Sequence, residues 1–137
     1  MEFSSQEMDR LNSNPLYQTI GILVDEAKKG KAYSHLRPNP AFCWPFDGQP
    51  HGGILFTLMD TTMAWAILTI IDKGYNCVTI NLDIQYARRA VGESFVCHAG
   101  VTHQSSQIVY TRADIFDEKG QLTAVGQGAF RIIKAPL

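Results

Sequence analysis

The sequence carries little charge and a single long apolar run. Lys and Arg number 12 against 13 Asp and Glu in 137 residues, a formal net charge of -1. No overall field therefore draws nucleic acid or an anionic membrane, and any phosphate-bearing partner must be held by a few local residues. Cysteine is scarce: Cys43, Cys77 and Cys97 are odd in number and have no close spacing. They give neither a disulfide framework nor a zinc knuckle and suit a reducing compartment. The opening MEFSSQEMDRLNSNP lacks the apolar stretch of a secretory signal, so the expected location is cytoplasmic. There is no G-x-S-x-G nucleophile elbow, no internal repeat and no linker. The four histidines lack metal spacing: His98 and His103 stand five apart on one expected strand, hence on opposite faces, and no metal is expected. Gly126-Gln127-Gly128 lacks the strand-to-helix setting of a dinucleotide loop and reads as a strand kink.

What is present is a globular composition, 45% hydrophobic and 18% charged, in a length suited to one domain over residues 1–137. Residues 1–14 read as a helical cover, with a helix from Ser4 to Leu11 ended by Asn12-Ser13-Asn14-Pro15. TIGILVDEA and KAYSHLR flank Lys28-Lys29-Gly30 and read as a hairpin. Residues 38–50, with four prolines and Gly48, form an irregular loop. The apolar run from Ile54 to Ile71 follows. Asp60 near its middle argues against a membrane span, and its Leu, Met and Ala content and its length favour a helix buried on most sides.

After Gly74 the period changes to two. In VTINLDIQY, residues Val78, Ile80, Leu82, Ile84 and Tyr86 alternate with polar ones, the pattern of a strand with one buried face. ESFVCHAGVTHQ, QIVYTRADIFD and QLTAVGQGAFRII follow as further strands of an antiparallel meander. The expected class is α+β, a curved antiparallel sheet wrapped around one long central helix.

Asp60 is the anomaly in that helix. A charge on an element apolar all round costs several kcal/mol unless it is paired, hydrated or neutralised. It could simply bond Thr61, Thr62 or a backbone amide and fix packing. The neighbourhood suggests chemistry instead: Gly52-Gly53 falls where the helix begins, so bare amides at the positive end of its dipole are open to an approaching oxygen, as in an oxyanion hole. Seven or eight residues of helix separate Gly52 and Gly53 from Asp60 by roughly 10–12 Å, too far for one small carbonyl to touch both. A two-fold dimer with two such helices antiparallel would bring the carboxylate of one chain to the glycines of the other.

The segment His51-Gly52-Gly53, an acid nine residues after the histidine, and the strand VTINLDIQYARRA resemble the hotdog-fold acyl-CoA thioesterases of the phenylacetate-degradation (PaaI-like) group, over roughly residues 32–133. The resemblance implies a dimer, or a dimer of dimers, with active sites at the interface. It implies Asp60 as general base or nucleophile, Gly53 as the amide polarising the thioester carbonyl with Gly52 beside it, His51 as the residue orienting the turn, and Thr79 positioning the attacking water. Arg88 and Arg89 fall near a basic position that can meet coenzyme A phosphates. The family often has Asn six residues before the histidine, where this chain has Pro45; Asn39 or Gln49 could be brought in by the loop. Phe42, Trp44 and Phe46 could line an acyl pocket.

The expected activity is hydrolysis of an acyl-CoA to free acid and CoA. No cofactor is needed, since a thioester is already electrophilic and coenzyme A belongs to the substrate. Two other readings stand beside it, a non-catalytic acyl-CoA-binding module and an acyl-thioester dehydratase or hydratase of the same fold.

Overall fold

The computed structural model describes residues 1–45 and 48–135. Ser4 caps helix α1 (Ser5–Asn12) through a capping box with Glu7, and Asn14 caps α2 (Pro15–Ile20) with proline in the first turn. Gly21, at φ 98°, ends α2. Thr19 and Ile20, assigned to the hairpin by their β-branched character, belong instead to this second helix. The hairpin itself is β1 (Ile22–Lys28) and β2 (Lys31–Leu36), turned by Lys29 and Gly30 with φ of 50° and 77°, the mirror-image turn that matches strand twist. A short helix, α3 (Pro40–Cys43), precedes α4 (Gly52–Leu68). Four long strands follow: β3 (Tyr75–Tyr86), β4 (Phe95–Gln104), β5 (Ile108–Asp117) and β6 (Leu122–Lys134).

The sheet order is β1-β2-β4-β5-β6-β3, every neighbouring pair antiparallel. Only β4-β5-β6 is a meander, which corrects the expectation that β3 begins one. The alternation makes β3 parallel to β2, so the chain from β2 through α4 to β3 is a crossover spanning three intervening strands. The helix lies over the strands it crosses, and the sheet curls around it. This places β3 at an edge.

A second correction concerns β3. Its ladder with β6 slips between Thr79, opposite Phe130, and Asn81, opposite Ala129. The extra residue, Ile80, is a β-bulge that inverts which side chains face inward. Cys77 and Thr79 face α4 before it, and Leu82 and Ile84 pack on the core after it. Val78 and Ile80, expected inside, are instead 44% and 56% exposed. A similar slip in β4, between Val101 and His103, puts His98 and His103 on the same outer face, opposite Asp114 and Tyr110. That overturns the expectation of opposite faces, yet the two rings remain several residues apart along the sheet.

Helix α4 is the centre of the core: Leu55, Leu58, Met59, Met63, Ala66 and Ile67 are buried against Leu36, Phe95, Cys97, Val109, Ile115 and Phe130. Each large side chain of this kind contributes about 1.5–3 kcal/mol by burial. Close approach of helix and sheet explains Gly126 and Gly128. Pairing on both sides of β6 runs unbroken through them. A Cβ on Gly126 would collide with Met59 Sδ and lie 2.8 Å from the Asp83 carbonyl oxygen. Gly126→Ala is expected to cost about 1–3 kcal/mol by overpacking, read as a lower urea midpoint; Gly128→Ala, whose nearest contacts are 3.0–3.2 Å, is expected to cost less.

Candidate active site

One face of α4 is left uncovered by the chain's own sheet. Gly53 and Phe56 are exposed, and Thr57, Asp60, Thr61 and Ala64 are half-buried, a set at helical spacing. Asp60 therefore escapes the full desolvation that a helix buried all round would impose. Its partner is neither Thr61 nor Thr62. Thr79 Oγ1, on β3, donates to Asp60 Oδ1 at 2.6 Å, a bond available because the bulge at Ile80 turns Thr79 toward the helix. Thr62 is spent in the core, where its hydroxyl bonds Leu58 O and Ser34 Oγ. One oxygen of Asp60 is thus anchored, and the group stands on an open face.

The turn ahead of α4 is organised by its own residues. His51 is the N-cap, and its Nδ1 accepts from the Gly53 N–H at 2.8 Å. Nδ1 must keep its lone pair for this, so a neutral ring carries its proton on Nε2. The amide expected to polarise a carbonyl is thereby presented at the helix start with an imidazole as its internal acceptor, which an entering oxygen would share or replace. From the far end of β3, Tyr86 donates its hydroxyl to the Gly52 carbonyl oxygen at 2.6 Å. Its ring packs tightly on this position: a Cβ on Gly52 would stand 3.2 Å from Tyr86 Cζ, close enough that the ring would have to give by a few tenths of an ångström. Burial pushes the Tyr86 phenol above its ordinary pKa, so it remains a donor at neutral pH.

The remaining expected residues divide. Arg89 Nε donates to Gln49 Oε1, so Arg89 and Gln49 are brought together and the arginine grips the turn two residues before His51. Arg88 Nη1 donates to Gln121 Oε1 at 2.7 Å. Both arginines are exposed and bound here to neutral amides, which leaves their charge intact. Asn39 is not gathered with them: its Oδ1 accepts from the Ala41 N–H at 3.0 Å and caps α3. Phe42 is 70% exposed, Trp44 is half-buried, and Phe46 lies outside the described residues.

Two groups near Asp60 were not singled out from the sequence. Tyr17 on α2 accepts from Trp65 Nε1 at 2.8 Å. Burial raises its phenol, the Trp65 bond lowers it, and the Asp60 charge raises it further. Cys77 is pushed up to about 12 by burial and then by Asp60, and Cys97 to about 12 chiefly by burial. Neither Tyr17 nor Tyr86 has a sequence signal of its own, since aromatic residues at such positions read as core. The Gly52-Gly53 pair was the indirect cue that something approaches the turn closely. Among the described residues no three metal-ligating side chains gather, and no helix is long and apolar enough to cross a membrane.

Known structures share this architecture. The E. coli PaaI protein of the phenylacetic acid degradation operon superposes with a TM-score of 0.80 at 22% identity, covering 93% of this chain and 91% of that one. A thioesterase protein of Streptococcus pneumoniae, crystallised with coenzyme A, gives a TM-score of 0.79 at 16% identity over 95% and 99% of the two chains. A Halobacterium salinarum protein that carries an esterase designation is 29% identical over 134 residues, 90% of this chain and 88% of its own. The fold is thus the hotdog fold, and the protein is a thioester hydrolase. The chain belongs to the Thioesterase superfamily, whose model matches residues 48–124, a span holding the His51-Gly52-Gly53 turn, Asp60, Thr79 and both arginines. The resemblance to the PaaI-like group is borne out.

Two outcomes follow from the local chemistry. His51→Ala removes the acceptor of the Gly53 N–H and is expected to lower stability by about 0.5–2 kcal/mol in urea titration, whereas His51→Asn, which can also cap, retains most of it. Cys77 and Cys97 should resist a disulfide reagent at pH 8 in the native protein and react on unfolding. Because their folded pKa values are raised above the ordinary 9.0, the stability they contribute is present below about pH 9 and is lost as pH rises toward 12, checked by urea midpoints across that range.

Proposed function

We propose that the protein hydrolyses acyl-CoA thioesters to free acid and CoA at a site shared between two copies of the chain, with Asp60 as general base and the Gly52-Gly53 turn as oxyanion hole. The observation that carries this reading is the carboxylate anchored by Thr79 on the uncovered face of α4. The glycine turn lies on that same helix, too far along it to serve the same carbonyl within one chain. The 12-residue edge strand β3, with Val78 and Ile80 exposed, supports a second copy pairing beside it.

With Oδ1 of Asp60 held by Thr79, Oδ2 accepts a proton from water while the water oxygen forms a bond to the thioester carbonyl carbon. The carbonyl electron pair moves onto oxygen and is stabilised by the Gly53 N–H and the helix dipole. Collapse of the tetrahedral species breaks the C–S bond, and the thiolate leaves as CoA and takes up the proton. Thr79 favours this general-base role over direct attack, because it turns one carboxylate oxygen away from the carbonyl. Arg88, and Arg89 beside the turn, supply positive charge for the coenzyme A phosphates. The neighbour crystallised with coenzyme A supports that ligand. No cofactor enters this chemistry, and three free thiols suit a reducing, cytoplasmic setting for the homo-oligomer proposed here.

Thiol release should be measured over short, medium, long and aromatic acyl-CoAs. Asp60→Asn, folded and of unchanged oligomeric state, is expected to lose at least about a hundredfold in kcat. Gly53→Pro deletes the amide hydrogen at a first-turn position and is expected to be similarly weak. Mixed and reassembled, the two variants should recover roughly a quarter of wild-type turnover, because half the dimers are mixed and each carries one intact site. No recovery, with subunit exchange shown by mass, overturns the shared site. Unchanged turnover by Asp60→Asn overturns the base.

A further inference from the structure

We infer that Tyr86 is a positioning residue of the oxyanion hole, acting through the peptide that joins Gly52 to Gly53. This peptide carries the Gly52 carbonyl at one end and the Gly53 N–H at the other, and being planar and trans it fixes them in opposite directions. The Tyr86 hydroxyl holds the carbonyl end at 2.6 Å. Gripping one end of a rigid plane constrains the aim of the other, so the phenol on β3, together with His51 Nδ1 at the N–H end, sets where the Gly53 N–H points. A hydrogen bond to an amide oxygen also polarises the amide, and its N–H becomes a stronger donor. Tyr86 thus both aims the donor and strengthens it without touching substrate.

The surroundings are built for this contact. Gly52 has no side chain where the phenol rests. Arg89, three residues beyond Tyr86, holds Gln49 on the approach to the same turn. The end of β3 and the residues just beyond it therefore grip the segment from both sides of His51, and the strand that positions Asp60 through Thr79 positions the turn through Tyr86.

The inference rests on the proposed hydrolysis, and its test separates the two. Tyr86→Phe keeps the ring and deletes only the hydroxyl. It is expected to lower kcat about tenfold with KM changed less than twofold. The second readout does not depend on turnover: an acyl-CoA with an isotope-labelled carbonyl, chosen as the best substrate of the panel, is bound to Asp60→Asn with and without Tyr86→Phe. Its carbonyl stretch, lowered in frequency by the oxyanion donors, should move back toward that of the free thioester when the hydroxyl is absent. An unchanged stretch overturns the inference, whatever kcat does; equal losses in kcat and stability with no change in stretch assign Tyr86 a packing role alone. Should Tyr86→Phe fail to fold, Gly52→Ala, whose Cβ would press to 3.2 Å from the same hydroxyl, is expected to move the stretch in the same direction, and no movement there overturns the inference. Failure of the hydrolysis reading shows separately, as no thiol release by the wild-type protein from any acyl-CoA of the panel.

Discussion

Between Thr79 and Asn81 one residue of β3 has no partner on β6, and the side chain that meets the carboxylate follows from it. A regular strand carrying Leu82 and Ile84 into the core would send Thr79 to the opposite face and leave Asp60 without its donor. The bulge at Ile80 lets one strand fill the core with its later half and offer a hydroxyl to α4 with its earlier half. What it displaces is apolar: Val78 and Ile80 go to the outside. The same irregularity thus couples the local chemistry of the carboxylate to an exposed surface suited to a second chain.

The components of the site come from two elements. Helix α4 carries both the carboxylate and the amides, one near its middle and the other at its start, so in the proposed assembly each copy gives its carboxylate to one site and its amides to the other. Strand β3 supplies what orients them, Thr79 near its middle and Tyr86 at its end. Since α4 and β3 are consecutive, each copy contributes its share of the proposed site from one contiguous stretch, with the glycine turn at its start, Asp60 within it and Thr79 and Tyr86 beyond. The rest of the sheet buries the helix, and Gly126 and Gly128 let it lie close enough for β3 to reach it.

Much of this was legible in the sequence. The apolar run without glycine or proline after Gly53 gave the long helix, the two-residue period gave four strands, and the isolated Asp60 marked the helix as more than core. The misses have a common origin. Periodicity reports faces only while the period is kept, and bulges at Ile80 and in β4 each invert it, so Val78 and Ile80 were assigned to the buried face and the two strand histidines to opposite faces. Strand order depends on contacts distant in sequence, so β3 was placed beside β4 when the crossover carries it to β6. Thr19 and Ile20 looked extended because their β-branched side chains outweighed the asparagine cap and first-turn proline that start α2 ahead of them. The role of Asn39 was equally hidden, since an amide that caps a short helix and one that faces a substrate read the same in a sequence.

The strand that orients the site is also the open margin of the sheet. A lone protomer shows a long row of unsatisfied backbone donors and acceptors flanked by apolar side chains, a template for any other extended chain. In the assembly proposed above, newly synthesised chains pass through an interval in which the surface used for pairing is the one most prone to indiscriminate pairing. How fast correct partners meet, and so how much chain is made at once, governs the yield of usable protein alongside the stability of the finished fold.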